Sequence, residues 1–494
     1  MNYKRIISAV TSICLAVSTA TAFTVNAVSE EKLMGDANGD GRFNAADVVS
    51  VQKWLMGTGA MTARDTVDFC ADGVINSFDY ILMLKALRES GEAYNLPYSV
   101  KTKNLCDEYE SSAVKGAKAD EAFISGQTEF YLELMQKTVD SENEGKNILI
   151  SPYSVMQALA MTANGADSNT REEMENVLGG GMELEKLNEY LYTQRSSQPN
   201  DKDCKLTTAN SIWTIDDEER IQVMPEFIQT NKDYFNADIF TAPFDDTTVK
   251  DINSWVNEKT DAMIPTLLDK IPAEAVMYLI NAIAFDAKWE EQYTEYSVHS
   301  RDFTAFDGTV QQADMMYSEE YYYLEDDNAV GLYKYYEGRR YAFAAIMPDE
   351  GVELNDYIAE LTPQELNAIL ANPVYEQIDA GIPKFSYDYE AKKMKDSLME
   401  MGMASAFFPS GDFSRMAKTP MGDVYISEVI HKTFIDLCEA GTRAAAVTAV
   451  EMAGDSAMPV ERRNVILDRP FLYCIVDTEN DLPVFIGTLM TIPE

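Results

Sequence analysis

The hydrophobic period of the chain changes once along its length, and that change constrains the fold more than any other feature. From Glu121 on, amphipathic stretches of helical period such as "FISGQTEFYLELMQKTV" and "TREEMENVLG" come first. Strand-like runs, "VMYLINAIAF", "YAFAAIMP" and "FLYCIVD", dominate later. Helices grouped before strands predict an α+β domain with antiparallel sheets over residues 121–494. One stretch, "EAGTRAAAVTAVEMAGDSAMP" from Glu439 to Pro459, fits neither period. It is rich in alanine, yet it has β-branched Val447, Thr448 and Val450, no opening cap and no helical stripe. A strand entering between two packed strands must be small and uncharged at every second position, and Thr442, Ala444, Ala446 and Thr448 meet that condition. Arg443 and Ala445 then face the other way, where the charge stays in water, and Gly441 supplies a pivot.

Ahead of this domain an oxygen-rich loop occurs twice. In "DANGDGRFNAAD", Asp36, Asn38, Asp40, Asn44 and Asp47 fall at positions 1, 3, 5, 9 and 12 of a calcium loop, with Gly41 at the sharp turn and Arg42 offering its carbonyl. The following "VVSVQKWL" predicts a helix with Val48, Val51 and Leu55 on one face. The second copy, "DFCADGVINSFD", supplies Asp68, Asp72, Asn76 and Asp79, with Val74 at the carbonyl position and "YILMLKAL" as its helix. Cys70 replaces the third-position oxygen, and a thiol is a poor calcium ligand, so the second site is expected to be weaker. Each loop precedes one helix and lacks a helix before it, and the pair resembles a type I dockerin over residues 33–91.

That resemblance implies a small all-α module holding two Ca2+ ions and binding a cohesin module of a scaffold protein in an extracellular cellulosome. The positions matching the family's cohesin contacts are Ala45, Ala46, Gln52 and Lys53 in the first copy and Ser77, Phe78, Leu84 and Lys85 in the second. Residues 92–120 show no period and mix Ser, Gly, Lys and Glu, which reads as a linker. At the start, Lys4 and Arg5, an apolar and small run, and "VNA" at 25–27 read as a secretory signal over residues 1–27, removed on export.

The net charge of -42 opposes nucleic acid and anionic membranes as partners. Outside the signal five cysteines remain, an odd number without metal-ligand spacing, so no disulfide framework is predicted. Only His299 and His431 are available to a Ser-His or Cys-His system. His431 lies in "YISEVIHKTFIDL", whose period of two predicts a strand with one buried face. Both histidines read as satisfied structural groups, and no catalytic residue is singled out.

Four segments carry a second resemblance: "NILISPYSVMQALAMTANGADSNTREEMENVLG", "LINAIAFDAKWEEQY", "VIHKTFIDLCEAGTRAAAV" and "DRPFLYCIVDTENDLPVFIGTLMTIPE" look like successive signatures of a serpin, in the family's order. The resemblance implies helices packed around a large central sheet and smaller sheets, and a monomeric inhibitor rather than an enzyme, without a cofactor in this domain. By resemblance, a serine protease attacks an exposed loop, the cut loop inserts into the central sheet, and the protease remains covalently trapped. Glu439, Gly441, Thr442, Ala444, Ala445, Ala446 and Thr448 match the hinge of that loop; Ser151, Ser154, Asn281 and His431 match the polar cluster beneath the separating strands, and Trp289 the aromatic where the loop first enters.

The family's spacing, fifteen residues from Gly441 inclusive, puts the reactive bond at Asp455–Ser456 and suits an acid-preferring protease. The loop is longer than in many relatives, which leaves Met452, Ala453 and Met458 as alternatives for subtilisin-like or elastase-like pockets. Arg462 and Arg463 lie too far along to serve as bait for a trypsin-like enzyme. Two other readings stay open: a non-inhibitory serpin acting as a binding module, which the small-residue hinge opposes, and a dockerin-borne carbohydrate hydrolase, which needs a positioned carboxylate pair.

Overall fold

Near the middle of the larger part of the chain lies β6 (Met277–Lys288), a strand whose apolar run "MYLINAIAF" is buried on both faces. The computed structural model describes residues 33–39, 42–55, 59, 61–69, 75, 79–80, 82–83, 86–87, 102–142, 145–200, 202–272, 275–419, 424–442 and 462–493. The chain divides into two units, residues 1–97 and 98–494. The proposed signal segment lies outside the described residues, and no described helix is long and apolar enough to cross a membrane.

In the first unit, helix α1 (Ala45–Leu55) follows the first acidic loop. Val48 and Val51 are buried with Ala37, Met61, Val67, Met83 and Leu87, and Phe43 faces Phe69 with ring centroids 6.1 Å apart. The two repeats are tied by backbone: the Gly35 amide donates to the Thr66 carbonyl at 2.7 Å, and Thr62 and Ala63 both donate to Ala37. Leu55 corrects the expected stripe. It ends the helix and is exposed, and Trp54 packs there instead, under the Arg64 guanidinium at 4.9 Å.

The second unit has two large sheets, with strands numbered in chain order. The seven-stranded sheet runs β1 (Lys103–Asn104), β5 (Asp238–Ala242), β3 (Cys204–Ile215), β6, β15 (Gly441–Thr442), β14 (Val429–Cys438) and β12 (Phe385–Glu390). The nine-stranded sheet runs β16 (Arg463–Ile466), β11 (Val374–Pro383), β8 (Val310–Glu325), β9 (Ala329–Tyr335), β10 (Tyr341–Pro348), β17 (Phe471–Asp477), β18 (Leu482–Leu489) and β2 (Ile148–Ile150), with β7 (Val298–Thr304) paired to β8. A short ribbon joins β4 (Gln222–Val223) and β13 (Ala417–Lys418). The expectation of antiparallel sheets needs correction at three pairings, β3 with β5, β6 with β14 and β11 with β16, which are parallel.

Helices α2 (Glu121–Ser141), α3 (Pro152–Ala163), α4 (Ser168–Gly179), α5 (Leu184–Ser196) and α6 (Pro225–Phe235) contribute to one large core with the inner faces of both sheets. Helix α7 (Asp246–Lys259) covers the other face of the seven-stranded sheet, where Trp255 packs with Trp213, Phe240, Tyr278, Ile280 and Ala282. Helices α8 (Leu354–Glu360), α9 (Pro363–Ala371) and α10 (Met394–Glu400) complete the unit. The fold is therefore α+β, with a large central sheet buried on both sides.

The linker expected over 92–120 is also corrected, because residues 102–120 belong to the second unit. β1 adds an edge strand to β5, Cys106 is buried, and the Lys232 ammonium donates to the Cys106 carbonyl at 2.6 Å. Asn104 caps the turn that follows by accepting from the Cys106 amide, and its own amide donates to Asp238 at 2.8 Å. Farther on, the Ala117 amide donates to the Glu189 carbonyl. Such a segment lacks a period because it lies over a finished surface and borrows partners from it. A chain starting at Glu121 is therefore expected to melt several degrees below one starting at Tyr98, as checked by thermal circular dichroism.

Candidate functional site

Strand β15 wedges two residues into the top of the seven-stranded sheet. Thr442 pairs with Ala287 of β6 on one side and Leu437 of β14 on the other, and Gly441 pairs with Lys288 and Cys438. Gly441 has φ of +151°, and a side chain there would put its Cβ 2.0 Å from the Ala287 carbonyl oxygen, so this close approach requires glycine. Thr442 is 3 % exposed and its hydroxyl bonds the Tyr336 hydroxyl at 2.6 Å. Burial pushes the Tyr336 phenol well above its ordinary range, which keeps it neutral.

Trp289 anchors the turn before β15. Its backbone amide donates to the Ala440 carbonyl at 3.0 Å and its indole N–H to the Cys438 carbonyl at 2.9 Å, while the ring stacks on Tyr336 at 4.4 Å. The Tyr293 amide donates to the Glu439 carbonyl, and the Glu439 carboxylate pairs with Lys384 at 2.8 Å. Burial pushes the Glu439 carboxyl up, but the Lys384 hydrogen bond and charge outweigh it and leave the carboxyl below its usual range. Beneath the ring stack, the buried Lys334 ammonium pairs with Glu320 at 2.6 Å and lies 4.7 Å from the Tyr293 ring centre.

Lower in the same sheet, β6 and β14 meet directly, with Val429, Ile430 and His431 paired to Leu279, Ile280 and Asn281. Ser151 sits beneath this contact because it caps α3, with Pro152 in the first turn. Its hydroxyl donates to the Val484 carbonyl at 2.6 Å and accepts from the Ser154 amide, and its backbone amide donates to His431 Nε2 at 2.9 Å. The Ser154 hydroxyl donates to Asn281 Oδ1, and the Asn281 amide donates to Asn210 Oδ1 at 2.5 Å. The structure thus brings Ser151, Ser154, Asn281 and His431 together. His431 differs from the expected fully satisfied group: its Nδ1 has no hydrogen-bond partner among the described residues, and burial lowers its pKa to about 4. His299 is exposed on β7, 5.9 Å from the Tyr317 ring, and takes no part.

The chain returns at β16, an edge strand paired only to β11. Arg462 pairs with Glu319 and Asp379, Arg463 with Glu325 at 2.9 Å and Glu376 at 3.0 Å, and Val465 and Leu467 are buried. Residues 443–461, including Ala444, Ala445, Ala446, Thr448 and the candidate bond residues Met452, Ala453, Asp455, Ser456 and Met458, lie outside the described residues. The chain that carries the expected loop is therefore held at both ends, in β15 and in β16.

In the first unit Asp36 and Asp47 are buried, and both turn their carboxylates into the loop. Asp36 accepts from the Gly39 amide at 2.8 Å, and Asp47 accepts from the Asn38 and Asn44 amides at 3.1 and 2.9 Å. A loop folded around two buried carboxylates, with the Asn38 and Asn44 side chains and the Arg42 carbonyl beside them in sequence, offers an all-oxygen donor set that fits a hard divalent cation. In the second loop Asp79 is buried and Asp68 half-buried. Asp40, Asp72, Val74, Asn76, Ser77, Phe78, Leu84 and Lys85 lie outside the described residues. Ala45 opens α1, and Ala46, Gln52 and Lys53 are exposed along it.

Sequence reasoning missed Tyr336, Tyr293, Lys384 and Asn210. Asn210 faces Asn281 from β3, a strand that also carries Lys205, Thr207, Thr208, Ser211 and Thr214, so nothing local sets it apart. Lys384, in "GIPKFSYD", lies between β11 and β12, strands that carry charges of their own, so it does not stand out either. Nothing in the local sequence marks Tyr336 among so many tyrosines.

Residues 125–492 match the model of the serpin (serine protease inhibitor) family, and residues 34–88 match the dockerin type I domain. The chain belongs to the serpin (serine protease inhibitor) family, which is not a family of enzymes, and it carries an amino-terminal dockerin of the calcium-binding type I class. It resembles the thermophilic serpin tengpin in its native state, with 44% identity and a TM-score of 0.76 over 80% of this chain and 100% of the other. Tengpin in its latent state gives 43% identity and a TM-score of 0.68 over 76% and 100%. A serpin-like protein of Methanosarcina acetivorans is 30% identical over 72% of this chain and 85% of its own length.

The pKa of His431 sets a pH dependence. Its folded value of about 4 lies below the ordinary 6.5, so the unfolded chain binds the proton first as the medium is acidified. Stability is then expected to fall as pH drops from about 6.5 to about 4, by an amount on the order of 3 kcal/mol. Urea unfolding of the uncut chain across this window checks it, and His431→Gln is expected to flatten this part of the slope.

Proposed function

We propose that the chain is a secreted suicide inhibitor of serine proteases, attached through its dockerin to a cohesin of a cellulosomal scaffold. The observation that carries this reading is the shared register at the top and bottom of the seven-stranded sheet. Thr442 stands opposite Ala287 and Leu437, and six residues farther down, Asn281 of β6 meets His431 of β14. Continuing β15 at the same register brings Thr448, six residues on, between Asn281 and His431. Ala444 and Ala446 then fall beside buried Phe285 and Ile435, and Ile283 and Thr433. The two flanking strands are offset so that one continuous strand serves both.

Cleavage after Asp455, or at Met452, Ala453 or Met458, frees the loop from β16 and lets it follow this path. Insertion exchanges the short direct pairing of β6 with β14 for a central strand bonded on both sides. At ~1 kcal/mol net per bond, eight added residues contribute on the order of ten kcal/mol. That rivals the stability of a domain and suffices to carry a bound acyl-enzyme along. The direct pairing of Val429–His431 with Leu279–Asn281 supports an uncut resting state, as does the higher TM-score to native than to latent tengpin. Asp36, Asn38, Asp40, Arg42, Asn44 and Asp47 would hold one Ca2+, and Asp68, Asp72, Val74, Asn76 and Asp79 a weaker second. Ala45, Ala46, Gln52 and Lys53, with Ser77, Phe78, Leu84 and Lys85, would meet the cohesin.

Mixing the mature chain with subtilisin is expected to yield an SDS-resistant adduct and a released carboxyl-terminal peptide, whose sequence locates the cut bond. Thr442→Arg is expected to turn the inhibitor into a substrate, because a charge would sit in the buried place between Ala287 and Leu437 from which the strand extends; persistence of the adduct in that variant would contradict the mechanism. Chelating calcium is expected to abolish cohesin binding while leaving adduct formation intact, read by pull-down and gel from one sample.

A further inference from the structure

A tyrosine row on the nine-stranded sheet takes no part in the site described above. Tyr321 of β8 and Tyr375 at the start of β11 are 40 and 74 % exposed, and their ring centres lie 6.1 Å apart with planes 17° from parallel. Among the described residues they are the two exposed aromatic side chains in ring contact with each other. Singly exposed apolar residues are ordinary, whereas an ordered cluster of them marks a binding surface. The register of β11 on β8 is irregular between Tyr375 and Ile378, and a bulge of this kind re-aims the side chains beside it. The Tyr375 ring is also braced. Tyr322 meets it nearly edge-on at 5.7 Å, Tyr335 meets Tyr322 at 5.1 Å, and the Arg339 guanidinium lies 4.9 Å from the Tyr335 ring centre. Rings held in this way lose little freedom when a ligand lands on them.

We propose that Tyr375 and Tyr321 form a stacking platform for a cellulose-type β-linked glucan chain, a binding site of the serpin unit additional to the reactive loop. A glucose ring whose substituents are all equatorial presents only C–H bonds on its two faces. Those bonds carry the partial positive charge that the negative face of an aromatic ring attracts, and a phenol adds a polar tip at its edge. The β-linked chain is flat from one sugar to the next, so nearly parallel rings meet successive parts of one ligand. An axial hydroxyl, as in galactose, would lift the sugar off the ring.

The hydroxyls at the rim of such a chain need hydrogen-bonding partners, and the strands supply them beside the rings. Exposed Glu319, two residues before Tyr321 and so on the same side of β8, accepts from the Gln377 amide at 2.9 Å and from the Arg462 guanidinium. Arg462 also pairs with Asp379 at 3.3 Å. Carboxylates, amide and guanidinium already matched to one another offer donors and acceptors without surplus charge, which complements a neutral polyhydroxy ligand. Nucleic acid would stack on the same rings, but the net charge of -42 repels it. A protein partner needs an apolar interface core, and at this end of the two strands Val374 is the one further exposed apolar side chain. Attached to a cellulosome as proposed above, the chain would work within reach of such polymers, although the platform itself does not depend on that attachment.

The test uses the full chain with no cohesin present. Binding is read as depletion from solution by amorphous cellulose and as heat on titration with soluble cellohexaose, and a thermal melt confirms that each variant is folded. Wild type is expected to bind both probes. Tyr375→Ala is expected to weaken binding at least about tenfold, a factor equal to about 1.4 kcal/mol, and Tyr321→Ala to weaken it in the same direction. Tyr375→Trp is expected to keep the affinity, and Tyr375→Leu, which retains apolar bulk without an aromatic face, to lose as much as alanine. Wild type that binds neither probe, or binding that survives Tyr321→Ala combined with Tyr375→Ala, overturns the platform. So does a leucine variant that binds as well as wild type. If the double variant forms the subtilisin adduct more slowly, or loses a dimer seen in sedimentation, while its cellulose binding is unchanged, the face belongs to the protease or to a second copy and the proposal is wrong.

Discussion

The structure depends on a sheet that is parted at the top and closed at the bottom. Above, Gly441 and Thr442 hold β6 and β14 apart; below, Asn281 and His431 bring them together. Central strands are costly to separate because each backbone group must keep a partner. Here the cost at the upper end is offset by two residues of the chain itself, bonded on both sides, and by the Thr442 hydroxyl on Tyr336. In the proposed insertion the first two residues of the path are therefore already seated, and what remains is an extension without the unfavourable nucleation that precedes most strand pairing.

Two devices of opposite character control that path. The lower one is a neutral, buried network of Ser151, Ser154, Asn210, Asn281 and His431, each group held by hydrogen bonds and not by charge. It resists opening because separation would strand amides in a dry interior. The upper one is ionic and aromatic: Lys384 on Glu439, Lys334 on Glu320, and the stack of Trp289 on Tyr336. It fixes the turn from which the loop departs. At the far end, Arg462 and Arg463 tie β16 to four carboxylates.

Much of this was legible in the sequence, for physical reasons that differ by element. The strand over His431 was readable because one buried face leaves a period of two, and β14 alternates buried and half-buried along its whole length. The small-residue stretch was readable at its start, Gly441 and Thr442, because a place between two packed strands restricts side-chain size. Residues 102–120 misled because a segment that packs as a strap has no period of its own, and Leu55 misled because a helix end loses the cover its stripe predicts. Tyr336 and Lys384 were invisible for another reason: each acts on Thr442 or Glu439 from a position far away in sequence. Strand register, which sets what stands opposite β6 and β14, cannot be read from one chain at all. It emerges only when β6 and β14 are seen side by side.

The central claim is that the gap above Asn281 and His431 is the seat of the loop's own strand. A crystal structure of the chain nicked once within 452–458 tests it most directly. The account predicts Thr448 paired to both residues, with the Cα atoms of Asn281 and His431 moved apart to about twice the usual interstrand spacing of about 4.8 Å. Asn281 and His431 still paired to each other, with residues 443–450 outside the sheet, would contradict it.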